Sequence, residues 1–289
     1  MTHSQSETDT GTGATTGTSG RALEFSLSDS TARVTLKGPG KGNALGPDFW
    51  SEAPALFEAI DSNPEIRAVV LTGSGENFTY GLDLISMAGE LSYALAAPAM
   101  AAERTRFLDR LTAMQRAIIS ITSCRKPIVA SISGWCVGAG IDIICAADVR
   151  VCSTDAMFSA RAVKIGIVED MGSLQRLPAI IGEGAAREIC LTGEDFDASR
   201  ALALGLVSHV EDSPESAFAR ADVIARRIAA NPPLTVQGVK RVMNERAHVG
   251  LREGLHYSAL WNAAFMQSHD FAEAMRAFTE KREPRFEGR

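Results

Sequence analysis

The sequence predicts an α/β protein whose C-terminal part is wholly helical. Continuous apolar runs such as Ala68–Gly73 and Pro127–Ile132 alternate with helix-like segments before residue 214. Runs of this kind are typical of sheets that are buried on both faces. From about Pro214 onwards, apolar residues recur at helical spacing. The predicted organisation is a disordered tail over 1–21, a core over 22–213 and a helical oligomerisation region over 214–289.

The composition is that of a globular protein and excludes two classes of partner. Apolar residues make up 45% and charged residues 22% of the 289 residues, close to the average for soluble domains. The formal net charge is −6, which argues against nucleic acid because phosphate binding requires clustered Lys and Arg. No apolar run approaches the roughly 20 residues that span a bilayer, so no membrane association is expected.

The tail and the cysteines indicate a reducing compartment. The first 20 residues contain no Leu, Ile, Val or Phe, so they can bury too little surface to fold and lack the apolar core of a signal peptide. The five cysteines are odd in number and none has CxxC spacing, which favours free, buried thiols over disulfides or structural zinc. A cytoplasmic location is therefore expected.

Hydrophobic spacing predicts the elements of the core, and Gly, Pro and Asn-Pro pairs mark their ends. In order, they are a hairpin (23–27 and 32–36), a helix opened by Pro47 and ended by Asn63-Pro64, a strand (68–73), a loop entering a helix (78–84), a mobile helical lid (88–102), a long amphipathic helix (104–123), a strand (127–132), a turn into a helix (133–147), a strand (148–152), a helix after Gly172, short helices (185–191 and 198–204) and an edge strand (205–210). Four helices complete the chain, at 215–230, 233–246, 250–266 and 271–281.

The turn between the strand 127–132 and the following helix is the most informative stretch. Its Gly138-Ala139-Gly140 lets a ligand approach the backbone, and a helix that begins there points free N–H groups at an anion. Asp142 adds an acid/base group in the first helical turn. The plain alternative is a tight turn whose Asp favours the helix dipole. A dinucleotide site is not expected, because Ile143 stands where the third glycine of that motif belongs.

Further carboxylates lie beside glycine-rich turns. Asp83 has the position of a helix cap. Glu169 and Asp170 lie between the apolar run Ile165–Val168 and Gly172. Adjacent carboxylates are usually solvated, but carboxyl groups in an apolar site beside like charges have raised pKa values, as a proton shuttle requires. The dispersed histidines show no metal-binding spacing, so no metal site is predicted.

A series of short motifs lies within the stretch from Leu23 to Phe286. They are, in order, Gly38-Pro39, Asn43-Ala44-Leu45, 69–75, 78–84, 126–130, 134–140, Asp148-Val149-Arg150, Leu177-Pro178, 203–207 and 278–286. Together they resemble the enoyl-CoA hydratase/isomerase family, the crotonase superfamily. The resemblance implies a ββα spiral core, with a helical C-terminal region that packs homotrimers or dimers of trimers. It also implies an acyl-CoA thioester as substrate and no metal or redox cofactor, since coenzyme A is part of the substrate and the thioester acidifies its own α-carbon.

The resemblance also implies which residues form the site. The backbone N–H groups of Leu82 and Ala139 match an oxyanion hole for the thioester oxygen. Substrate-binding residues are implied in the turn at Asn43, in the loop after Tyr80 and at the C-terminus, where Phe278 and Lys281 would reach the CoA of this or a neighbouring subunit. An alternative for Lys281 is a solvated charge. The full implied set is Asn43, Ala44, Tyr80, Gly81, Asp83, Leu84, Gly138, Phe278 and Lys281.

The carboxylates suggest a branch of the family. Hydratases of the family carry two glutamates, and here Asp142 and Ala162 occupy their positions. The dienoyl-CoA isomerase branch resembles this chain in having aspartates at the positions of Asp142 and Asp170, but it has a glutamate where this chain has Ala162. The implied function is a dienoyl-CoA-type isomerase of fatty-acid oxidation, in which Asp170 carries the proton and Asp142 and Glu169 orient or share it. The alternatives are a 2-enoyl-CoA hydratase with an atypical acid/base set and a non-catalytic acyl-CoA-binding protein.

Overall fold

The computed structural model describes residues 16–89, 92, 100–247 and 251–285. Within them the chain forms ten strands and ten α-helices. The strands are β1 (Thr16–Ser19), β2 (Leu23–Ser28), β3 (Thr31–Leu36), β4 (Ala68–Gly73), β5 (Ile128–Ile132), β6 (Trp135–Val137), β7 (Val149–Ser153), β8 (Met157–Ser159), β9 (Asp195–Asp197) and β10 (His209–Glu211). The helices are α1 (Pro47–Ser62), α2 (Ala101–Ser123), α3 (Ala139–Ala146), α4 (Ser173–Ile181), α5 (Glu183–Thr192), α6 (Ala198–Ala203), α7 (Pro214–Ala229), α8 (Pro233–Ala247), α9 (Leu251–Phe265) and α10 (His269–Glu280).

Seven strands form a large mixed sheet in the order β1-β2-β3-β4-β5-β7-β10. The pairs β1–β2 and β2–β3 are antiparallel, and every pair from β3 to β10 is parallel. The first four residues of β4 are all buried, which confirms the prediction of a strand covered on both faces. The predicted hairpin and the predicted edge strand are also present, as β2–β3 and β10.

A small second sheet makes the fold a spiral. It has the order β6-β8-β9 and is extended by single bridges between Thr79 and Cys136 and between Leu45 and Leu82. Successive turns of the chain therefore supply one strand to the large sheet, one strand or bridge to the small sheet and then a helix, most regularly in β5-β6-α3. The sequence did not predict the small sheet, because three-residue strands are too short to show periodicity.

Helices cover both faces of the large sheet. On one face they enclose the main core, which includes Phe49, Phe57, Ile118 and Phe158. On the other face α7 packs the four alanines Ala217, Ala221, Ala225 and Ala229 against the valines of β4, β5 and β7. Alanines four residues apart share one helix face and allow close packing on the sheet. The first helix of the predicted oligomerisation region is therefore part of the core.

The N-terminal tail differs from its prediction where it is described. Thr16–Ser19 forms β1 and pairs with β2, although 1–21 was expected to be disordered. Backbone hydrogen bonds to a sheet edge require no apolar side chains, so composition does not reveal them. The Glu52 carboxylate also accepts hydrogen bonds from the N–H groups of Arg21, Ala22 and Leu23 at 2.9–3.1 Å. Residues 1–15 lie outside the described residues.

Three further expectations can be compared with the structure. Most of the predicted lid over 88–102 lies outside the described residues, and its end at Ala101 and Ala102 opens α2. The five cysteines are free thiols, as predicted. None of the helices within the described ranges is both long and apolar enough to cross a membrane.

Candidate active site

A cavity of about 830 Å³ lies between the start of α3, helix α2 and the segment before α4. Two of its walls carry the predicted catalytic groups. The backbone wall consists of the turns at Gly81-Leu82 and Gly138-Ala139. The carboxyl wall consists of Asp142, Glu169 and Asp170. Leu82, Ala139 and all three acidic residues line the cavity.

The backbone wall depends on two glycines with left-handed backbone angles. Gly81 has φ +79° and Gly138 has φ +52°, which side chains disfavour. A Cβ atom at Gly81 would lie 2.5 Å from the Val137 carbonyl oxygen and 3.3 Å from the Ala139 nitrogen. The two turns therefore touch, and only glycine fits between them.

Hydrogen bonds of neighbouring residues hold the backbone wall in place. The Gly138 N–H donates to the Ser159 carbonyl at 2.8 Å, and the Leu45 N–H donates to the Gly81 carbonyl at 2.7 Å. Ala139 is the first residue of α3, so its N–H has no acceptor within the helix. The Gly81-Leu82 turn consequently lies next to the Ala139 nitrogen, at the positive end of α3.

Ser173 connects two groups of the carboxyl wall. Asp142 and Glu169 are 3% and 7% exposed, and Ser173 is fully buried. The Ser173 N–H donates to Asp142 Oδ1 at 2.5 Å, and the Ser173 hydroxyl donates to Glu169 Oε2 at 2.5 Å. One residue at the start of α4 thus bonds a carboxyl group from α3 and one from the preceding segment.

Asp170 is held by two amide side chains that the sequence reading missed. The Asn262 Nδ2 donates to Asp170 Oδ2 and to the Val168 carbonyl, both at 2.7 Å, and Asn262 Oδ1 accepts from the Val168 N–H at 3.1 Å. The Gln115 Nε2 donates to the Asp170 carbonyl at 2.7 Å. Helices α9 and α2 thereby fix the segment that carries Asp170. In the sequence, the only indication of these roles is that Gln115 and Asn262 are polar residues on the apolar faces of their predicted helices.

Burial sets the proton affinity of the carboxyl wall. It raises the pKa of Asp170 to about 7; the hydrogen bond from Asn262 opposes the increase and the charge of Asp142 adds to it. Burial also raises the pKa of Asp142, against the hydrogen bonds from Ser173 and the nearby Arg176 guanidinium. The pKa of Glu169 is raised by burial and by the charge of Asp142. Groups of this kind can both hold and release protons near neutral pH.

Ala162 faces the same cavity. It opens the 3₁₀ turn Ala162–Ile165 and lines the cavity together with Glu169 and Asp170. Its methyl group cannot exchange a proton. Adjacent residues usually point in different directions, yet Glu169 and Asp170 both line the cavity.

The predicted substrate-binding residues fall into two groups. Ala44, Tyr80, Asp83, Leu84, Gly138 and Phe278 line the cavity. Asp83 also accepts hydrogen bonds from the N–H groups of Ile85 and Ser86, and it thereby stabilises the turn over residues 84–87. The cavity is further lined by four basic residues that the sequence reading did not single out, Lys41, Arg110, Arg161 and Lys164.

Asn43, Gly81 and Lys281 are not among the residues that line the cavity. Asn43 is buried, and its Nδ2 donates to the carbonyls of Ser74 and Asn77 at 2.7 Å, so it joins two loops. Gly81 provides the close contact between the turns. Lys281 ends α10 with a left-handed φ of +53° and is exposed.

Comparison with known proteins identifies the family. The model of the enoyl-CoA hydratase/isomerase family matches residues 26–289. The chain belongs to this family. Among solved structures, an enoyl-CoA hydratase/isomerase from Pseudoalteromonas atlantica T6c is similar with a TM-score of 0.79 at 27% identity, over 92% of this chain and 100% of that one. The predicted crotonase-like spiral fold is confirmed.

Two relatives indicate the branch within the family. A protein named peroxisomal Delta(3,5)-Delta(2,4)-dienoyl-CoA isomerase from Arabidopsis thaliana is 38% identical over 257 residues, which cover 89% of this chain and 92% of that protein. A mitochondrial protein of the same name from Dictyostelium discoideum is 37% identical over 269 residues, covering 91% of this chain and 90% of that protein. These matches confirm the predicted resemblance to the dienoyl-CoA isomerase branch.

The same relatives correct the expected location. The sequence reading predicted a cytoplasmic protein, and this prediction is wrong, because the relatives are named as peroxisomal and mitochondrial enzymes. Free thiols favour a reducing compartment, but they do not distinguish one reducing compartment from another. The observations behind the prediction therefore could not separate the cytoplasm from an organelle.

Proposed function

We propose that this protein is a dienoyl-CoA isomerase of fatty-acid oxidation that converts 3,5-dienoyl-CoA into 2,4-dienoyl-CoA. The observation that carries the proposal is the buried Asp142/Asp170 pair, which lines the same cavity as the Leu82 and Ala139 turns. The names of the two relatives support the choice of reaction.

The reaction requires two proton movements and no redox step. A proton leaves C2, and the electron pair that remains is delocalised onto the thioester oxygen on one side and over the two double bonds as far as C6 on the other. A proton then returns at C6, which leaves double bonds at C2–C3 and C4–C5. Atoms and electrons balance without a further reactant, so coenzyme A, as part of the substrate, is the only cofactor proposed.

The backbone wall would stabilise the charge that develops on the thioester oxygen. We assign the N–H groups of Leu82 and Ala139 as an oxyanion hole. Fixed donors at the positive end of a helix need no rearrangement during the reaction, and losing one such donor typically costs about 10²–10³ in rate. The touching turns at Gly81 and Gly138 support this role, because a Cβ atom at Gly81 would lie 3.3 Å from the Ala139 nitrogen.

Asp170 would carry the proton that leaves C2. Its pKa of about 7 lies close to neutral pH, where a proton carrier is most effective. Asn262 holds Oδ2, and we assign the transferred proton to Oδ1. Asp142 would orient the cluster and influence its charge, because it is buried near the Arg176 guanidinium and its charge acts on both other carboxyl groups.

The remaining predicted residues would bind the CoA part of the substrate. The basic lining residues suit its phosphate groups, and Tyr80 and Phe278 offer aromatic faces to its adenine. We propose a homotrimer or a dimer of trimers formed through the C-terminal helices. Exposed apolar side chains on α8 support this assembly, since Leu234, Val242 and Met243 are each at least two thirds exposed.

The proposal is tested by the ultraviolet absorbance of a 3,5-dienoyl-CoA, which changes as the double bonds become conjugated with the thioester. The purified protein should cause this change, and Asp170→Asn should abolish it. A variant as active as the parent would contradict the assignment of Asp170. Water addition to a 2-enoyl-CoA would favour a hydratase, and CoA binding without turnover would favour a non-catalytic protein.

A further inference from the structure

The proposed isomerisation poses a geometric problem that Asp170 alone does not solve. C2 and C6 of the substrate are four bonds apart, and the carbon chain is held by its thioester. A second group is therefore needed to deliver a proton at C6 while Asp170 remains at C2. Ala162, where the isomerase branch is expected to carry a glutamate, faces the cavity but has no exchangeable proton.

We propose that Glu169 is the second proton carrier, taking the place of the carboxyl group that Ala162 lacks, and that Ser173 holds it against Asp142. This inference rests on the proposed function. Glu169 lines the same cavity as Ala162. The two positions therefore contribute to one cavity, although they are seven residues apart in the chain.

The two oxygens of Glu169 have different surroundings. Oε2 accepts from the Ser173 hydroxyl at 2.5 Å and lies 3.8 Å from Cys190 Sγ. Oε1 is buried, and no residue in the described ranges hydrogen-bonds to it. A buried carboxylate oxygen without a hydrogen-bond donor is costly, whereas the neutral acid avoids leaving an unpaired charge there. Oε1 is therefore the oxygen from which the proton would be delivered.

The backbone turn at Gly172 explains how Ser173 reaches both Asp142 and Glu169. Gly172 has a left-handed φ of +116°, and a Cβ atom there would lie 1.9 Å from Arg176 Nη1. This glycine turns the chain sharply before α4 and brings the Ser173 N–H back to Asp142. Because Ser173 bonds both carboxyl groups, Glu169 is fixed in place beside a second acidic group.

The charged surroundings of Glu169 favour its protonated form before the reaction. Asp142 and Cys145 from α3, Asp170 from the same segment and Cys190 from α5 surround it. The one cation of the cluster, within the described residues, is Arg176, which acts on Asp142 and Cys145. Arg176 and the Ser173 N–H thus favour a charged Asp142, and that charge favours a neutral Glu169. Neighbouring carboxyl groups with separated proton affinities divide into a base and an acid.

The resulting step is balanced. Asp170 accepts the proton from C2 and becomes neutral, while Glu169 gives its Oε1 proton to C6 and becomes a carboxylate that accepts the Ser173 hydroxyl. Between turnovers, Asp170 loses its proton and Glu169 regains one by exchange with water. Glu169 would thus be a catalytic residue, and Ser173 a positioning residue that acts through it.

The inference is tested by hydrogen exchange in D₂O together with the isomerisation assay. Glu169→Gln should lower the isomerisation rate at least about 100-fold, the range for loss of a general acid, while exchange of the C2 hydrogen for deuterium continues through Asp170. The matched variant Asp170→Asn should lose C2 exchange as well. Parallel loss of exchange and isomerisation in Glu169→Gln, or parental activity, would overturn the inference.

A relocation experiment gives an independent readout. Glu169→Ala should be inactive. The double variant Ala162→Glu/Glu169→Ala should isomerise the substrate at least about tenfold faster than Glu169→Ala, because the carboxyl group returns to the same cavity.

Ser173→Ala should slow isomerisation with little change in KM, whereas Ser173→Thr, which keeps the hydroxyl, should recover much of the rate. A parent protein without isomerase activity would refute the proposed function; an active parent with an active Glu169→Gln would refute only the role of Glu169.

Discussion

The two walls of the cavity are built in different ways. The backbone wall comes from two local turns, in which Gly81 and Gly138 adopt left-handed angles and the next residues, Leu82 and Ala139, line the cavity. The carboxyl wall is assembled from distant parts of the chain: Ser173 is 31 residues from Asp142, and Asn262 is 92 residues from Asp170. Amides do not titrate, whereas the carboxyl groups have raised pKa values. In the proposed mechanism the backbone wall makes an enolate possible, and the carboxyl wall decides where protons leave and return.

The largest effect is expected from Gly81→Ala in the backbone wall. Its Cβ atom would lie 2.5 Å from the Val137 carbonyl oxygen, so one of the touching turns must move and the proposed donors would separate. We expect kcat for dienoyl-CoA isomerisation to fall about 10²–10³-fold. The matched control is Gly75→Ala, because Gly75 also has a positive φ, of +65°, but open space at its Cβ. If kcat fell equally in both variants, the effect would be due to backbone strain and not to separation of the proposed donors.

The contrast between the walls also explains what could be predicted from the sequence. The Gly138-Ala139-Gly140 turn was recognisable because its conformation is determined by residues next to one another. The long strands and helices were predicted for the same reason, whereas the three-residue strands of the small sheet and the pairing of Thr16–Ser19 depend on partners elsewhere in the chain.

The three acidic residues of the carboxyl wall were singled out from the sequence, but the side chains that hold them were not. Asp142, Glu169 and Asp170 were found through adjacent glycines and the family resemblance. Gln115, Ser173 and Asn262 were missed, since their roles follow from which helices pack together and not from any local pattern. In a sequence, an amide side chain on the apolar face of a helix does not show whether it hydrogen-bonds to a catalytic segment or to a segment far from the site.

A smaller, pH-dependent effect is expected from Asn262→Leu in the carboxyl wall. The Asn262 amide lowers the pKa of Asp170, which burial and Asp142 raise to about 7. Without this donor the pKa of Asp170 increases further. A base must be ionised to act, so the acid limb of the kcat/KM profile should move to higher pH. For a rise of about one pKa unit, the rate at pH 7 should fall about fivefold, because half of Asp170 is already protonated there in the parent.

The control for that experiment is Asn244→Leu. The Asn244 amide also bridges two helices, donating to the Thr122 carbonyl at 3.0 Å, but it does not line the cavity. This variant should keep the pH profile of the parent even if its stability falls. If Asn262→Leu lowered the rate equally at every pH, Asn262 would be a purely structural residue, and the proposed control of Asp170 would be wrong.

The smallest effect is on the stability of the folded protein. It distinguishes the walls directly, because only the carboxyl wall contains groups that titrate. The pKa of Asp170 is raised from 3.8 to about 7 in the folded protein. Between these values the folded state binds more protons than the unfolded state, so the Asp170 contribution to stability decreases as pH rises through this window. The asparagine of the Asp170→Asn variant cannot ionise. The melting temperature of this variant should therefore exceed that of the parent by several degrees at pH 8 and by less at pH 5.

The control is Gly75→Ala, whose melting temperature should differ from that of the parent by an amount that does not change with pH. A pH-independent difference for Asp170→Asn as well would mean that Asp170 ionises without cost, and the carboxyl wall would then lack the proton affinity on which the proposed mechanism depends.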